Sequence, residues 1–79
     1  MFFVYILKAK SKDWFYVGQT KDYVNRLKIH NLGNNKSTKA YRPFEIVYLE
    51  EFETRKEAFM RERQIKKYKH GDAFKKLVS

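Results

Sequence analysis

The chain opens on two short apolar segments separated by polar residues. Residues 2–7 are aromatic or aliphatic, a run of strand length, and a second run covers 14–18. The polar, turn-like stretch 9–13 between them is short enough for an antiparallel hairpin. Strand side chains alternate between faces, so each strand has one set of every second residue on a common face. These sets are Phe3, Tyr5, Leu7 and Trp14, Tyr16, Gly18.

From Asp22 onward the apolar spacing changes to that of a helix. Tyr23, Leu27 and Asn31 follow one another at intervals of four, and Gly33 is a typical C-terminal stop. The basic stretch 34–41 shows no periodicity and is predicted to be a connection.

The second half of the chain predicts a strand and two further helices. The strand covers 44–49, after Pro43. A longer helix begins at Thr54, where the sequence Thr-Arg-Lys-Glu matches a capping box. We expect it to reach about Lys69 and to stop at Gly71. Asp72 is then expected to cap a short helix over 73–78.

These elements predict an α+β fold, a three-stranded antiparallel sheet flanked by helices. Their order is β-β-α-β-α with a short C-terminal helix. The 79 residues contain no repeat, low-complexity tract or linker, so we expect one domain over 1–79.

The composition excludes several classes of protein. The chain contains no cysteine, which excludes a disulfide framework and a thiolate metal site. Its apolar runs are far shorter than the roughly 20 residues that span a bilayer. The N-terminal run lacks a basic lead-in and a cleavage site, so we expect a cytoplasmic protein without membrane contact.

The charge points to a polyanionic partner. Eighteen Lys and Arg against nine Asp and Glu give a net charge of +9. Residues 1–44 contribute +7, and residues 45–79 contribute +2. A positive field of this size favours nucleic acid, although a basic protein without that function has the same composition.

One carboxylate lies where the longer helix should be apolar. Ala58, Glu62 and Ile65 fall on a narrow stripe of that helix. A carboxylate in such a stripe needs a cation, a metal or a solvent-filled cleft. The simpler alternative is an ion pair with a nearby basic residue, and Arg61, Arg63 and Lys66 are all close in sequence.

Four other residues are candidates for the same cleft. Arg26 and His30 project from one face of the first helix, beside its apolar stripe. Tyr5 and Tyr16 lie on the paired strands. Taken singly, each has a structural alternative: a sheet-edge arginine, a histidine at a helix C-terminus, and core aromatics.

The spacing of these residues resembles the GIY-YIG nuclease superfamily. Val4-Tyr5-Ile6 and Tyr16-Val17-Gly18 are similar to its two naming motifs, and Tyr16 follows Tyr5 by eleven residues. Arg26 follows Tyr16 by ten residues, and His30 follows Arg26 by four. Residues 57–67 resemble the helix that carries the family's metal-binding glutamate, in the small stand-alone branch. That branch is similar to the nuclease domain of the bacterial excision-repair C subunit, which implies DNA repair.

The resemblance implies a role for each residue. Glu62 would bind one divalent cation, Mg²⁺ or Mn²⁺. Tyr5 would activate or orient the attacking water, and Tyr16 would support it or hold the phosphate. Arg26 would stabilise the charge of the phosphoryl group, and His30 would contact phosphate or assist proton transfer. A phenol acting as a base requires Arg26 and the metal to lower its pKa.

The expected substrate is nucleic acid, DNA rather than RNA, cleaved as by an endonuclease. The basic residues expected to contact phosphate are Lys36, Lys39, Arg42 and Lys66. The alternative is a binding module on the same fold without turnover. A partner protein or an unusual nucleic-acid structure is expected to supply specificity. The chain departs from the family pattern in its first motif and in lacking an asparagine over 67–77.

Overall fold

A computed structural model of the chain describes residues 1–67, 69 and 71–79. It confirms the predicted fold class and order of elements. The strands are β1 (Phe2–Ala9), β2 (Phe15–Thr20) and β3 (Phe44–Phe52). The helices are α1 (Tyr23–Leu32), α2 (Arg55–Lys67) and α3 (Asp72–Val78), and a 3₁₀ turn covers Lys39–Tyr41.

Strand β1 is the centre of the sheet, whose order is β2-β1-β3. Both of its neighbours pair with it antiparallel, and Tyr5 lies opposite Gly18 on one side and Leu49 on the other. A bulge between Ile6 and Leu7 shifts the register with β3. Both outer strands, β2 and β3, therefore have a free edge within the described part of the chain.

The two faces of the sheet carry different helices. One face packs against α2 and α3 through a core cluster formed by Val4, Ile6, Val17, Ala58, Ile65 and Phe74. The opposite face packs against α1 and the 3₁₀ turn. Its buried residues are Tyr5, Leu7, Ala9 and Phe44, with Trp14, Tyr16, Leu27, Tyr41 and Ile46 packed around them. The alternation of strand side chains thus separates two apolar layers.

Local capping sets the ends of α1. The carboxylate of Asp22 accepts a hydrogen bond from the backbone N–H of Asn25 at 3.0 Å. At the other end Gly33 adopts the left-handed conformation (φ 81°), and its N–H donates to the carbonyl of His30. Both ends agree with the sequence prediction. The two caps set where α1 begins and ends.

Helix α2 begins with the predicted capping box. The backbone N–H of Thr54 donates to the Glu57 carboxylate, and the Glu57 N–H donates to the Thr54 hydroxyl, both at 3.2 Å. The helix ends at Lys67, and Lys69 lies in a turn rather than in the helix. His70, which lies between Lys69 and Gly71, is outside the described residues.

The predicted cap of the last helix is wrong. Asp72 is the first residue of α3 rather than its cap, and Gly71 takes the cap position without a side-chain hydrogen bond. An acidic side chain in the first turn still interacts favourably with the helix dipole. Among the described residues, no helix combines the length and apolarity needed to cross a bilayer.

Candidate active site

The two tyrosines of the sheet lie side by side over a glycine. Tyr5 is 2% exposed, and its ring centroid is 6.3 Å from that of Tyr16. A Cβ atom built on Gly18 would lie 2.7 Å from the Tyr5 hydroxyl and 3.1 Å from the Tyr16 ring. The Tyr5 ring therefore crosses Gly18 toward the free edge of β2. Only a residue without a side chain permits this arrangement.

His30 is the polar centre of this face. It is fully buried in the last turn of α1, and its ring lies 5.0 Å from the ring of Tyr16. Its Nε2 is 3.3 Å from the Tyr5 hydroxyl, and its Nδ1 is 2.9 Å from the Thr38 hydroxyl. The imidazole thus joins β1 to the connection that follows α1.

The hydrogen bonds around His30 define one consistent tautomer. The Thr38 hydroxyl donates to the carbonyl of Asn35 at 3.4 Å, so its oxygen accepts from His30 Nδ1–H. Nε2 is then left to accept the proton of the Tyr5 hydroxyl. The network is a chain of donors that runs from Tyr5 through His30 and Thr38 to the backbone.

Burial keeps both members of this pair uncharged. It lowers the pKa of His30 below its usual 6.5, and the charge of Arg26 lowers it further. Burial also raises the pKa of Tyr5, more than its hydrogen bond to Arg26 lowers it. The expectation that Arg26 lowers the pKa of Tyr5 is correct in direction, but burial has the larger effect.

Arg26 reaches the two tyrosines from α1. The hydrogen bond to Tyr5 is the largest cause of the raised pKa of Arg26, and the interaction with Tyr16 raises it further. Its Nε is buried and has no hydrogen-bond partner. A buried N–H without an acceptor is uncommon, because its desolvation is uncompensated. Arg26 therefore presents an unused donor beside the tyrosine hydroxyls.

Glu62 belongs to the opposite helix layer, and its charge acts on Tyr5. Its side chain is 14% exposed, on the α2 stripe between the fully buried Ala58 and Ile65. Its negative charge is among the causes that raise the pKa of Tyr5, after burial and Tyr16. The Lys66 ammonium lies 2.6 Å from its Oε2. The simpler alternative of the sequence, an ion pair with a neighbouring lysine, is thus present.

These groups fit a cation held by a single carboxylate. Among the described residues, no group of three or more His, Asp or Glu could hold a metal ion. Glu62 is nevertheless a nearly buried carboxylate whose Oε2 already holds one cation, the Lys66 ammonium. A divalent ion that keeps water and substrate oxygens as ligands requires no more from the protein. Glu62 alone would hold it.

The basic connection after α1 is anchored next to this cleft. Lys36, Lys39 and Arg42 are exposed, whereas Thr38 between them is fully buried against His30. A side chain at Gly33 would collide with the guanidinium of Arg42 and contact the Cγ atom of Lys39, so both side chains pass beside Gly33. Lys66 lies on α2, paired with Glu62.

Two residues of the site were not singled out by their sequence. Thr38 lies in a polar stretch where nothing distinguishes a buried hydroxyl from an exposed one. Gly18 belongs to the second motif, but its spacing alone did not show that a Cβ would strike the Tyr5 hydroxyl. Only the folded structure shows that Thr38 hydrogen-bonds His30 and that Gly18 makes room for Tyr5.

The fold and this cluster agree with one protein family across nearly the whole chain. The GIY-YIG catalytic domain matches residues 1–75. The chain belongs to the GIY-YIG family. The members most similar to it include small proteins of one group within the family.

Two relatives of the chain come from bacteria. The UPF0213 protein YazA of Bacillus subtilis is 42% identical over 66 residues, which cover 82% of this chain and 66% of that protein. A UPF0213 protein of Staphylococcus aureus is 46% identical over 67 residues, which cover 84% of this chain and 80% of that protein. The chain therefore spans just under two thirds of the first relative and more of the second.

A solved structure in this group has the same fold. The solution NMR structure of a UPF0213 protein from Bacillus halodurans superimposes with a TM-score of 0.54 at 33% identity. The match covers 89% of this chain and 76% of the other. The resemblance expected from the two tyrosine motifs is thus confirmed at the level of family and fold.

Proposed function

We propose that this chain is a metal-dependent endonuclease that hydrolyses phosphodiester bonds in DNA or structured nucleic acid. The observation that carries the proposal is the convergence of Tyr5, Tyr16, Arg26 and His30 in one cluster, with the charge of Glu62 acting on Tyr5. Each group has a matching task in hydrolysis of a phosphodiester, which needs a positioned water, neutralised charge and a stabilised leaving group.

Arg26 stabilises the charge on the phosphoryl group. Its guanidinium is permanently charged, and its Nε–H has no acceptor in the protein. A non-bridging phosphate oxygen is the acceptor that this donor lacks. The tyrosine hydroxyls fix the direction of the guanidinium, so little reorganisation is needed when charge develops in the transition state.

Tyr5 and His30 handle the proton of the attacking water. A buried phenol with a raised pKa is a poor base by itself. Neutral His30 removes this difficulty, because its Nε2 accepts the Tyr5 proton while Tyr5 takes one from water. Thr38 holds the imidazole in the required tautomer. Tyr16 packs against the imidazole and orients the water or the phosphate.

Glu62 holds the metal, Mg²⁺ or Mn²⁺. The bound ion would supply Lewis-acid stabilisation of the leaving oxygen. With an ion bound, the Lys66 ammonium would be released from the Glu62 carboxylate and would be available to a phosphate.

Nucleic acid binds across the basic side of the cleft. Lys36, Lys39 and Arg42 are exposed on the connection that His30 anchors through Thr38. Each phosphate that they neutralise releases counterions and makes binding salt-sensitive. DNA is the preferred substrate, and a partner protein or a flap, junction or single-stranded segment supplies the specificity. A role in DNA repair and a cytoplasmic location complete the proposal.

Nicking of supercoiled plasmid and cleavage of single-stranded, flap and junction DNA test this function. The wild-type chain should cut at least one substrate with Mg²⁺ or Mn²⁺ and none in EDTA. Glu62→Gln should abolish cleavage without loss of helical circular dichroism. The matched control is Glu57→Gln on the same helix, because glutamine also completes the capping box at that position and should leave cleavage intact.

One observation favours a second candidate, a nucleic-acid-binding module without turnover. The Glu62 carboxylate is already paired with the Lys66 ammonium, so its negative charge is neutralised without a metal. In that case neither protein would cleave, Glu62→Gln would bind as wild type does, and Lys39→Glu or Arg42→Glu would weaken binding. Metal-dependent cleavage lost in Glu62→Gln would eliminate this candidate.

A further inference from the structure

Two aromatic rings form a parallel stack at the end of the sheet. The ring centroids of Trp14 and Tyr41 are 4.0 Å apart, and the ring planes differ by 4°. Both side chains are only partly buried. A lysine lies over each outer face of the pair: Lys12 at 5.2 Å from the Tyr41 centroid and Lys69 at 5.9 Å from the Trp14 centroid. The two stacked rings thus lie between two cations.

The two lysines are held very differently. Lys69 is partly buried, and its ammonium donates to the carbonyl of Phe15 at 2.8 Å. Lys12 is exposed in the turn between β1 and β2, where its ammonium rests on the Tyr41 ring. The outer face of Trp14 is therefore closed by a fixed side chain, whereas the outer face of Tyr41 is covered by one that can move.

The stack is continuous with the candidate active site. Trp14 contacts Phe44, whose ring contacts His30, both at 6.0 Å between centroids. Tyr41 closes the basic connection that contains Lys39 and adjoins Arg42. One buried ring, that of Phe44, thus separates the stack from the histidine of the cluster.

The charge around the stack suits a polyanion. The turn between β1 and β2 carries Lys10 and Lys12 near its tip, with Asp13 as its carboxylate, and Lys8 precedes it. Lys39 and Arg42, both exposed, lie within two residues of Tyr41 along the chain. Cations around a flat aromatic face are the combination that binds single-stranded nucleic acid, in which base stacking accompanies phosphate contacts.

We propose that the outer face of Tyr41, backed by Trp14, stacks one unpaired nucleobase of single-stranded DNA, an inference that rests on the proposed nucleic-acid substrate. Lys12 leaves the Tyr41 ring and pairs with a phosphate that flanks the base. Trp14 is a positioning residue, because its stack keeps Tyr41 from turning. A base inside a duplex is already stacked and cannot take this place, so the site distinguishes unpaired from paired DNA.

The simplest structural alternative is that the pair only ties the connection to the start of β2. That alternative predicts a loss of stability when the stack is removed but no difference between single-stranded and duplex DNA. Base stacking on an aromatic side chain contributes roughly five- to hundredfold in affinity, and it depends little on salt. Phosphate contacts instead weaken steeply as salt rises. The two roles can therefore be separated.

The test measures binding by the full chain in EDTA, where no cleavage occurs. Fluorescence anisotropy gives the affinity for a short single-stranded oligonucleotide and for the same sequence as a duplex. A 2-aminopurine at the centre of the single strand reports stacking by its quenching. We expect quenching by the wild type. Tyr41→Leu should lose roughly fivefold or more in single-strand affinity at both low and high salt, with duplex affinity unchanged.

Three further variants control the result. Tyr41→Phe keeps the ring and should bind as wild type does. Tyr23→Leu removes another partly buried tyrosine, packed on Phe3, and should leave both affinities unchanged. Lys12→Met should lower the salt slope of single-strand binding by about 0.7, the value for one phosphate contact. If Tyr41→Leu does not fold, the quenching by wild type and the slope of Lys12→Met decide.

The inference is overturned if wild type does not bind or quench the single strand. It is equally overturned if Tyr41→Leu binds single strand as wild type does, or loses single-strand and duplex affinity alike. Because no metal is present, failure of the proposed hydrolysis leaves this result standing. A chain that cleaves DNA but whose single-strand affinity ignores Tyr41 would contradict the stacking site alone.

Discussion

Strand β1 contributes alternate residues to two layers of very different chemistry. Val4 and Ile6 point into the layer shared with α2 and α3, where the buried cluster contains only apolar side chains. Tyr5, one position along, points into the layer shared with α1, where His30 and Thr38 are fully buried. Alternation within a single strand thus separates a layer that stabilises the fold from a layer that carries the candidate residues other than Glu62.

The difference lies in what each layer must satisfy. An apolar layer needs close packing alone, and every buried group contributes in proportion to its area. A polar layer must also pair its buried donors and acceptors. Tyr5, His30 and Thr38 do so by hydrogen-bonding in series, whereas the Nε of Arg26 remains unpaired. The exception marks the point where a ligand is expected.

The largest expected effect is a loss of stability from the apolar layer. Ile65 is fully buried between α2 and the sheet, so Ile65→Ala should lower the free energy of unfolding by about 2–5 kcal/mol. Leu32→Ala, at a site 71% exposed, is the matched control and should change it by less than about 0.5 kcal/mol. Urea denaturation measures both. Equal effects would mean that this layer is not the core.

Arg26→Ala should show the opposite pattern in the polar layer. Cleavage should fall by about 10²–10³-fold, because a charge-stabilising donor is lost. The free energy of unfolding should change by less than about 1 kcal/mol, since the substitution also removes the unpaired Nε and Tyr5 keeps its hydrogen bond to His30. Initial rates of nicking and urea denaturation test both statements. A variant that unfolds but cleaves normally per folded molecule would assign Arg26 to the scaffold.

Gly18→Ala is expected to change both stability and cleavage. The added Cβ would press on the Tyr5 hydroxyl and the Tyr16 ring, costing about 1–3 kcal/mol in stability and reducing cleavage. Gly71→Ala is the control, because its φ of −93° suits alanine; it should leave cleavage intact and cost less than about 1 kcal/mol through the helix cap. Thermal denaturation and nicking rates report the two effects. An unchanged cleavage rate in Gly18→Ala would show that the position of Tyr5 is not critical.

The smallest expected effect is a dependence of stability on pH that comes from His30. Its folded pKa lies below the unfolded value of 6.5, so the unfolded chain takes up the proton first as pH falls. The contribution of neutral His30 is complete above pH 6.5. It is lost as pH falls from 6.5 through the lowered pKa.

Thermal denaturation between pH 7.5 and pH 5 measures this dependence. His30→Gln should flatten the curve in the same window. An unaltered pH dependence in the variant would mean that another group titrates there. A cleavage rate that falls with protonation over that window in wild type would further support His30 as the proton acceptor.

Local rules accounted for much of the fold. The capping box at Thr54 and the left-handed Gly33 are short-range features that involve only neighbouring backbone groups. Alternation grouped Tyr5 with Phe3 and Leu7 and grouped Tyr16 with Gly18, and the register of β1 with β2 then brought the two groups to one face. The cap of α3 was the local prediction that failed, since either Gly71 or Asp72 satisfies the same preference and the chain used the glycine.

The sequence by itself determined the elements, their order and the candidate residues, because periodicity, capping and spacing act over a few neighbouring positions. The tertiary structure alone decided that Thr38 holds His30, that burial outweighs Arg26 in setting the pKa of Tyr5, and that Lys66 pairs with Glu62. These facts depend on distances between elements far apart in the chain. They also depend on desolvation, which no spacing of residues encodes.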